Sequence, residues 1–391
     1  MLESLLNKVE REGFGQEKAR SGERRYRGRP KVIETLFGPI WLRRDYFVGA
    51  DGKSRVPMDE KLGLIDGYSP ALAKLMGRVA AQQSFEAAAD DLKVYAGVEV
   101  GARAIARMAQ IVGPQMAKAR AAASVKQSVS EIPVLYVEAD GTGAPMRKSE
   151  VAGRKAKEGD GEAKTREVKL GCVFTQTVTD EKGNPLRDPD STSYVATFES
   201  SGAFGTLLRR ESFQRGFAAA REVVFIGDGA SWVWELARVN FPQAVCILDF
   251  FHAVEHLGTL AEAIYGVGTP QACKQAKLWR DLLKEDGIDE VIAQARSALP
   301  EHPPTRKPIE KELAYFEKNR ARMLYGTFRA RGFFIGSGVV EAGCKTVIGK
   351  RLKNSGMFWS VPGAQNILEL RTALLSNRFD TDWDARLKLA A

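Results

Sequence analysis

The sequence predicts an α+β chain of several domains. A core of strands alternating with helices is followed by a long helical region, and a basic N-terminal region and a helical domain precede it. Three observations lead there. The chain has 391 residues, 44% of them hydrophobic, and about 150 residues per domain gives two or three domains with an ample core. Short apolar runs bounded by turn signals alternate with helical runs between Pro133 and Phe251. The stretches 69–130 and 252–330 carry helical character.

Composition excludes other classes. Charged residues at 27% and aromatics at 9% are ordinary for a globular protein, so neither a disordered nor a collagen-like chain is expected. No apolar run approaches the ~18 residues of a membrane span, and no membrane partner is expected. The opening MLESLLNKVEREGFG lacks the apolar stretch of a signal peptide. Cys172, Cys246, Cys273 and Cys344 lie far apart without CxxC spacing. Neither a disulfide framework nor a zinc knuckle is expected, and a reduced cytosol fits.

In chain order, residues 1–20 read as an amphipathic helix. Residues 32–48 alternate around Gly38-Pro39 as a hairpin, and Asp51-Gly52 is a further turn. Ser69-Pro70 opens a helix. Ser84 caps a second, FEAAADDLKVYA, and Gly97 and Gly101 precede a third, ARAIARMAQIV. Three short helices with a glycine turn suggest a helix-turn-helix whose third helix offers Arg103 and Arg107 to DNA; the alternative is a small bundle that only packs. Residues 115–130 read as helix or linker. Next come strands at VLYVEAD (134–140), EVKLGCVFTQTVTD (167–180) and SYVATFES (193–200), with an exposed charged loop at 153–167. FGTLLRRESFQRGF (204–217) is helical, VVFIGD (223–228) a strand, ASWVWELARVNF (230–241) a helix and AVCILDFF (244–251) a strand. A long helical region follows, broken at His302-Pro303-Pro304. GFFIGSGVVEAGCK (332–345) then leads to a last helix over 367–377. The expected domains are 1–68, 69–130, 131–255 (core, first part), 256–332 (insertion) and 333–391 (core, second part).

The formal net charge is +9, which permits a nucleic-acid partner without demanding one. The cations are clustered. One run holds Arg24, Arg25, Arg27, Arg29 and Lys31, a second spans Arg306 to Arg331, and a third holds Lys345, Lys350 and Arg351. Such clusters neutralise phosphates or form solvated charged faces.

VLYVEAD and VVFIGD each finish on an aspartate followed by glycine. Acids at strand ends place carboxylates at one sheet edge, where open α/β sheets bind ligands. Glu341, in IGSGVVEAGCK, starts a helix with Lys345 one turn on. Three carboxylates from separate segments suit hard divalent ions such as Mg²⁺, and two such ions clamp an in-line phosphoryl displacement. Read blandly, each acid is a turn residue or an N-cap.

Taken together, YVEADGTG (136–143), FIGDGASW (225–232), LDFFHAVEHL (248–257) and GSGVVEAGCK (336–345) resemble, in that order, bacterial insertion-sequence transposases of the ISKra type. These are a branch of the ribonuclease-H-like DDE superfamily. The resemblance spans about residues 30–378. It implies a ribonuclease-H-like, mixed-sheet catalytic domain split by an α-helical insertion. It implies Asp140, Asp228 and Glu341 as catalytic, metal-binding acids holding Mg²⁺ or Mn²⁺, two ions in all. The reaction implied is DNA cleavage at inverted-repeat ends, followed by strand transfer to target DNA. The implied assembly is a homodimer or higher synaptic oligomer, and the implied setting is the bacterial cytoplasm at the nucleoid. Relatives often carry a zinc knuckle after the N-terminal hairpin. Residues 45–57 have no cysteine, so a structural zinc is not expected.

The sequence HAVEH (252–256) matches H-x-x-E-H, an inverted zincin pattern. Asp249 and His252 also match a D-x-x-H motif of related transposase groups, which implies active-site support. Capping or packing, and a zinc peptidase site, are the other readings. A DNA-binding protein without catalysis is the alternative for the whole chain. Trp232 and Trp234 read as one core and one interface residue, with stacking on a flipped base the other use. Phe358 and Trp359 read as buried, with DNA contact the alternative, and Cys344 as a small buried residue.

Overall fold

Alternating apolar residues make two long strands near the start, β1 (Arg24–Thr35) and β2 (Gly38–Val48), paired antiparallel with Thr35 opposite Gly38. The computed structural model describes residues 2–12, 17–124, 131–156, 161–300 and 303–390. The hairpin turn falls at Leu36-Phe37, ahead of the expected Gly38-Pro39. Thr35 builds it: its hydroxyl donates to the Gly38 carbonyl at 2.7 Å and accepts the Phe37 N–H at 3.0 Å. β1 also starts well before the expected Val32, so the first basic run lies on a strand. β3 (Ser54–Arg55) adds to the far edge of β2. The first helix is Leu2–Glu12, shorter than the expected 1–20. Its Asn7 side chain donates to the Trp41 carbonyl and accepts the Arg43 N–H, covering part of the β2 edge. Ile33, Ile40, Leu42 and Met58 form the core beneath.

Three helices follow as expected. Ser69 caps Pro70–Gln82 and Ser84 caps Phe85–Ala96, each side chain accepting a first-turn N–H. Gly97 ends the second at φ +65°, a left-handed conformation that glycine adopts at no steric cost. The third helix runs Ala102–Ala122, through Pro114 and past its expected end. Of the helix or linker expected at 115–130, residues 115–122 continue this helix and 125–130 lie outside the described residues.

These helices do not stand alone. The chain divides into one unit of Met1–Ser124, Pro145–Lys164 and Gly349–Ala391, and another of Val125–Ala144 and Thr165–Ile348. The C-terminal helices Val361–Leu375 and Phe379–Ala390 therefore belong with the N-terminal bundle, not with the core as 333–391. Arg120 joins them to the third helix, bonding Glu369 at 3.1 Å and Asp382 at 2.9 Å. Two buried guanidiniums close the C-terminal end of Pro70–Gln82. Arg351 Nε donates to the Ala80 carbonyl at 2.8 Å and Arg371 Nη1 to that of Ala81 at 2.6 Å. Carbonyls in a helix's last turn have no partner within the helix, and cations are favoured there.

The second unit holds a mixed five-stranded sheet. Its strands are β4 (Ile132–Pro145), β5 (Thr165–Gln176), β8 (Ser193–Thr197), β9 (Ala220–Gly227) and β10 (Val245–Leu248). A small hairpin, β6 (Val178–Thr179) and β7 (Pro185–Leu186), lies between β5 and β8 in the chain. The spatial order is β10-β9-β4-β5-β8. β9 runs parallel to β4 and β10, and β8 antiparallel to β5. Leu135, Tyr136, Val137, Phe174, Phe225 and Ile226 fill its core. The helices Ser201–Gln214 and Ser231–Asn240 match expectation. The helical stretch is Phe250–Tyr265, Pro270–Lys284, Ile288–Ser297, Pro303–Asn319 and Tyr325–Ala330. The expected boundary at 255/256 falls inside the first of these helices. The helical region is interrupted between Ser297 and Pro303, beside the expected break, and Pro303 is the first described residue of the next helix; His302 lies outside the described residues. No described helix is long and apolar enough to cross a membrane.

Candidate active site

Parallel pairing of β4 with β9 ends at Ala139 opposite Gly227. Asp140 and Asp228 are the next residues on each side. Asp228 follows its strand, as expected. Asp140 does not end its own: β4 continues to Pro145, so this carboxylate projects from mid-strand beside the point where β9 stops. Asp140 Oδ1 accepts the Gly141 N–H at 2.6 Å, and Oδ2 accepts the Cys344 thiol at 3.2 Å. Burial pushes its carboxyl above the usual range. Those two hydrogen bonds oppose the shift, and the charges of Asp228 and Glu341 add to it.

Asp228 accepts the Ala230 N–H at 3.0 Å, and its carbonyl accepts the Tyr315 hydroxyl at 3.3 Å. Gly229 sits at φ +96°. A Cβ there would lie 2.8 Å from Tyr315 Oη and 3.1 Å from Leu248 Cδ1, so glycine is required twice over.

Glu341 is exposed on the short helix Gly338–Gly343 and accepts the Ser337 hydroxyl at 3.1 Å. Two buried acids hold the entry to that helix. Asp249 accepts the His252 N–H at 2.7 Å, capping Phe250–Tyr265, and with its other oxygen accepts the Ser337 N–H. Glu138 accepts the Val340 N–H at 2.7 Å. Burial raises the Glu138 carboxyl to about 8; hydrogen bonds from Val340 and Cys172 oppose this, and Asp249 and Glu341 add repulsion. Glu138 is two residues from Asp140 on the same strand face, but a glutamate inside an apolar strand run gives no sign of which backbone it will hold.

Asp140, Asp228, Glu341, His252, Glu255 and Ser337 line one cleft of about 240 Å³, with Phe251 on its wall. HAVEH is thereby divided. His252 faces the cleft, with Nδ1 3.6 Å from Glu255. His256 Nδ1 lies 2.5 Å from Glu312, and its ring stacks on Tyr315 at 3.7 Å. Among the described residues, no three or more His, Cys, Asp or Glu side chains are gathered closely enough to enclose a metal ion. The zinc-peptidase reading therefore gains no third ligand.

The basic residues separate by environment. Arg351 is a correction: it is 0% exposed, with its guanidinium 4.8 Å from the Phe85 ring and 5.0 Å from that of Trp359. Burial, then repulsion from Arg371, lowers its pKa to about 10. It is a core residue and unavailable to DNA. Lys345 and Lys350, which precede it in sequence, are exposed. Arg25 is tied to Asp45 and Arg107 to Asp66, while Arg24, Arg27, Arg29, Lys31 and Arg103 are exposed. In the 306–331 stretch, Arg306 pairs with Glu310, Arg320 with Asp289, Arg329 with Glu285 and Arg331 with Glu222. There the ion-paired face prevails over a phosphate-binding one. Trp234 and Trp359 are buried, Trp232 is half-buried against Phe204, and Phe358 is 64% exposed, against expectation. Cys344 was expected to be a small buried residue; it is half-buried, and its thiol reaches Asp140.

Fold and cleft thus define an α+β protein with acids from three segments around one opening. Residues 1–170 match a family described as "Uncharacterised protein family (UPF0236)". A Streptococcus gallolyticus relative, "UPF0236 protein in vanSb 3'region", is 25% identical over 368 residues, covering 90% of this chain and 74% of the relative. The solved structure "Drosophila P element transposase strand transfer complex" aligns over 79% of this chain and 80% of its own. That match has 10% identity and a TM-score of 0.23, which does not define a common fold.

Proposed function

We propose that this protein is a DDE-type transposase of the ISKra kind, cleaving DNA at the ends of an insertion sequence and transferring the freed strand to target DNA. One observation carries the reading: Asp140, Asp228 and Glu341 line a single cleft, and Asp140 feels the charges of the other two. The strand order supports a ribonuclease-H-like catalytic unit. In chain order the five strands stand 5-4-1-2-3, the fourth parallel to the first and fifth, the third antiparallel to the second.

The donor chemistry is that of a Mg²⁺ or Mn²⁺ site. All three groups are carboxylates, the ligand type of an ion that keeps several waters and takes one or two carboxylates plus substrate phosphates. Asp140, Asp228 and Glu341 would hold two such ions, which when bound neutralise charge on the attacking and leaving oxygens. The chain's own groups do the positioning. Asp249 and Glu138 fix the helix bearing Glu341, the Cys344 thiol orients Asp140, and Tyr315 steadies the backbone at Asp228. His252, which lines the cleft, would contact the scissile region or support Asp228; cleavage unchanged in His252→Ala removes that role. DNA is the substrate, and a homodimer or larger assembly would hold two ends together.

The test is incubation with DNA carrying the reading frame's own flanks. Nicks at the flanks that need Mg²⁺ or Mn²⁺ and vanish in Asp140→Asn, Asp228→Asn and Glu341→Gln support the reading. The alternative is a DNA-binding protein without catalysis. Binding without cleavage under any divalent metal would establish it.

A further inference from the structure

We infer that one face of the N-terminal hairpin binds single-stranded DNA by stacking a base on a tyrosine pair while flanking cations hold the backbone. Tyr26 and Tyr46 are directly opposed across β1 and β2, with ring centroids 5.4 Å apart at 48°. Register puts Arg24, Tyr26, Arg29 and Lys31 of β1 on the face that carries Tyr46 of β2. They pair with Val48, Tyr46, Arg44 and Leu42, alternate residues on one strand side. The guanidiniums of Arg24 and Arg29 lie 5.3 and 5.6 Å from the Tyr26 ring centre. Gly28, at φ +56°, sits in the irregularity between Tyr26 and Arg29 and bonds Asp45 through its N–H, so the bulge that brings both arginines beside Tyr26 is built in.

Charge complementarity selects the partner. Among the described residues, no carboxylate lies within ion-pairing distance of Arg24, Arg29 or Lys31, whereas arginines of the 306–331 stretch have acids beside them. Arg44 on the same face is tied to Asp59, which leaves Arg24, Arg29 and Lys31 for a polyanion. Tyr46 is 36% exposed, whereas Ile40 and Leu42 on the same side of β2 are buried. An unpaired base can stack on such a ring, whereas bases inside a duplex present only their edges. The choice of DNA over RNA rests on the proposed function; the binding itself needs no cleavage and no metal.

The experiment uses the full chain in EDTA, with labelled oligothymidylate, the same strand annealed to its complement, and oligouridylate. The single DNA strand should bind most tightly. Tyr46→Ala should weaken that binding about 5- to 150-fold with little change in salt dependence, and Tyr46→Phe should retain it. Arg24→Ala and Arg29→Ala should each flatten the slope of log affinity against log salt by about 0.7. Thermal melting confirms that each variant is folded. Equal or tighter binding of duplex or RNA, or undiminished binding by folded Tyr46→Ala, would overturn the inference. Because metal is absent throughout, a failure of the cleavage assay leaves this outcome independent.

Discussion

Asp249→Ala tests how the cleft is built. The side chain is 1% exposed and serves two backbone donors on different segments, His252 N–H and Ser337 N–H. Loss of the helix cap costs about 0.5–2 kcal/mol. Ser337 is 5% exposed, and leaving its N–H without an acceptor costs about 1–3 kcal/mol. Relief of the buried charge offsets part of this, leaving a net loss of about 1–4 kcal/mol. Asp249→Asn keeps one acceptor oxygen but turns an amide donor toward the other N–H, so it should recover less than half. Urea denaturation with unchanged m-values gives the stability difference. Amide exchange over 336–343 reads the local effect, because the segment bearing Glu341 loses its tether. A loss under about 1 kcal/mol in Asp249→Ala, with exchange at Ser337 and Val340 unaltered, would refute the reasoning.

Other expectations follow from the same contacts. Gly229→Ala should destabilise by about 2–3 kcal/mol in urea, since it adds a strained positive φ to a 2.8 Å clash with Tyr315. Arg351→Ala should cost about 2–4 kcal/mol through a cavity and an unpaired Ala80 carbonyl, whereas Lys350→Ala should stay within about 0.5 kcal/mol; chemical denaturation of the pair checks both. Burial raises the phenols of Tyr136, Tyr315 and Tyr325, and that of Tyr194 to about 12. Each folded pKa exceeds the unfolded value near 10, so the stability involved is present below pH 10 and lost as pH rises through the folded values. Absorbance at 295 nm should therefore show at least four of the nine tyrosines resisting ionisation at pH 11 until denaturant is added.

Local signals carried much of the fold. Ser69-Pro70, Ser84, Gly97 and Gly101 marked three helices because caps and left-handed glycines act within a few residues. Apolar runs marked the sheet strands for the same reason. Long-range partnerships were not legible. Nothing near KRLK says that Arg351 will meet the carbonyl end of a helix 271 residues away, or that the last two helices complete the first bundle. At the cleft, Asp140, Asp228 and Glu341 were picked out by their segments, and Asp249 by its motif. Glu138, Tyr315 and Cys344 were not, because their roles are set by backbone groups and carboxylates brought near only by folding. The hairpin turn moved for a similar reason. Thr35 builds it by hydrogen bonds to Phe37 and Gly38, where Gly-Pro had seemed the stronger signal.

Direct binding of Mn²⁺, followed by the decline of the free-ion paramagnetic resonance signal, tests the central claim most simply. The account predicts that the wild-type protein removes Mn²⁺ from solution and that folded Asp140→Asn, Asp228→Asn and Glu341→Gln variants each bind less. Equal Mn²⁺ binding by the wild type and all three variants would contradict it.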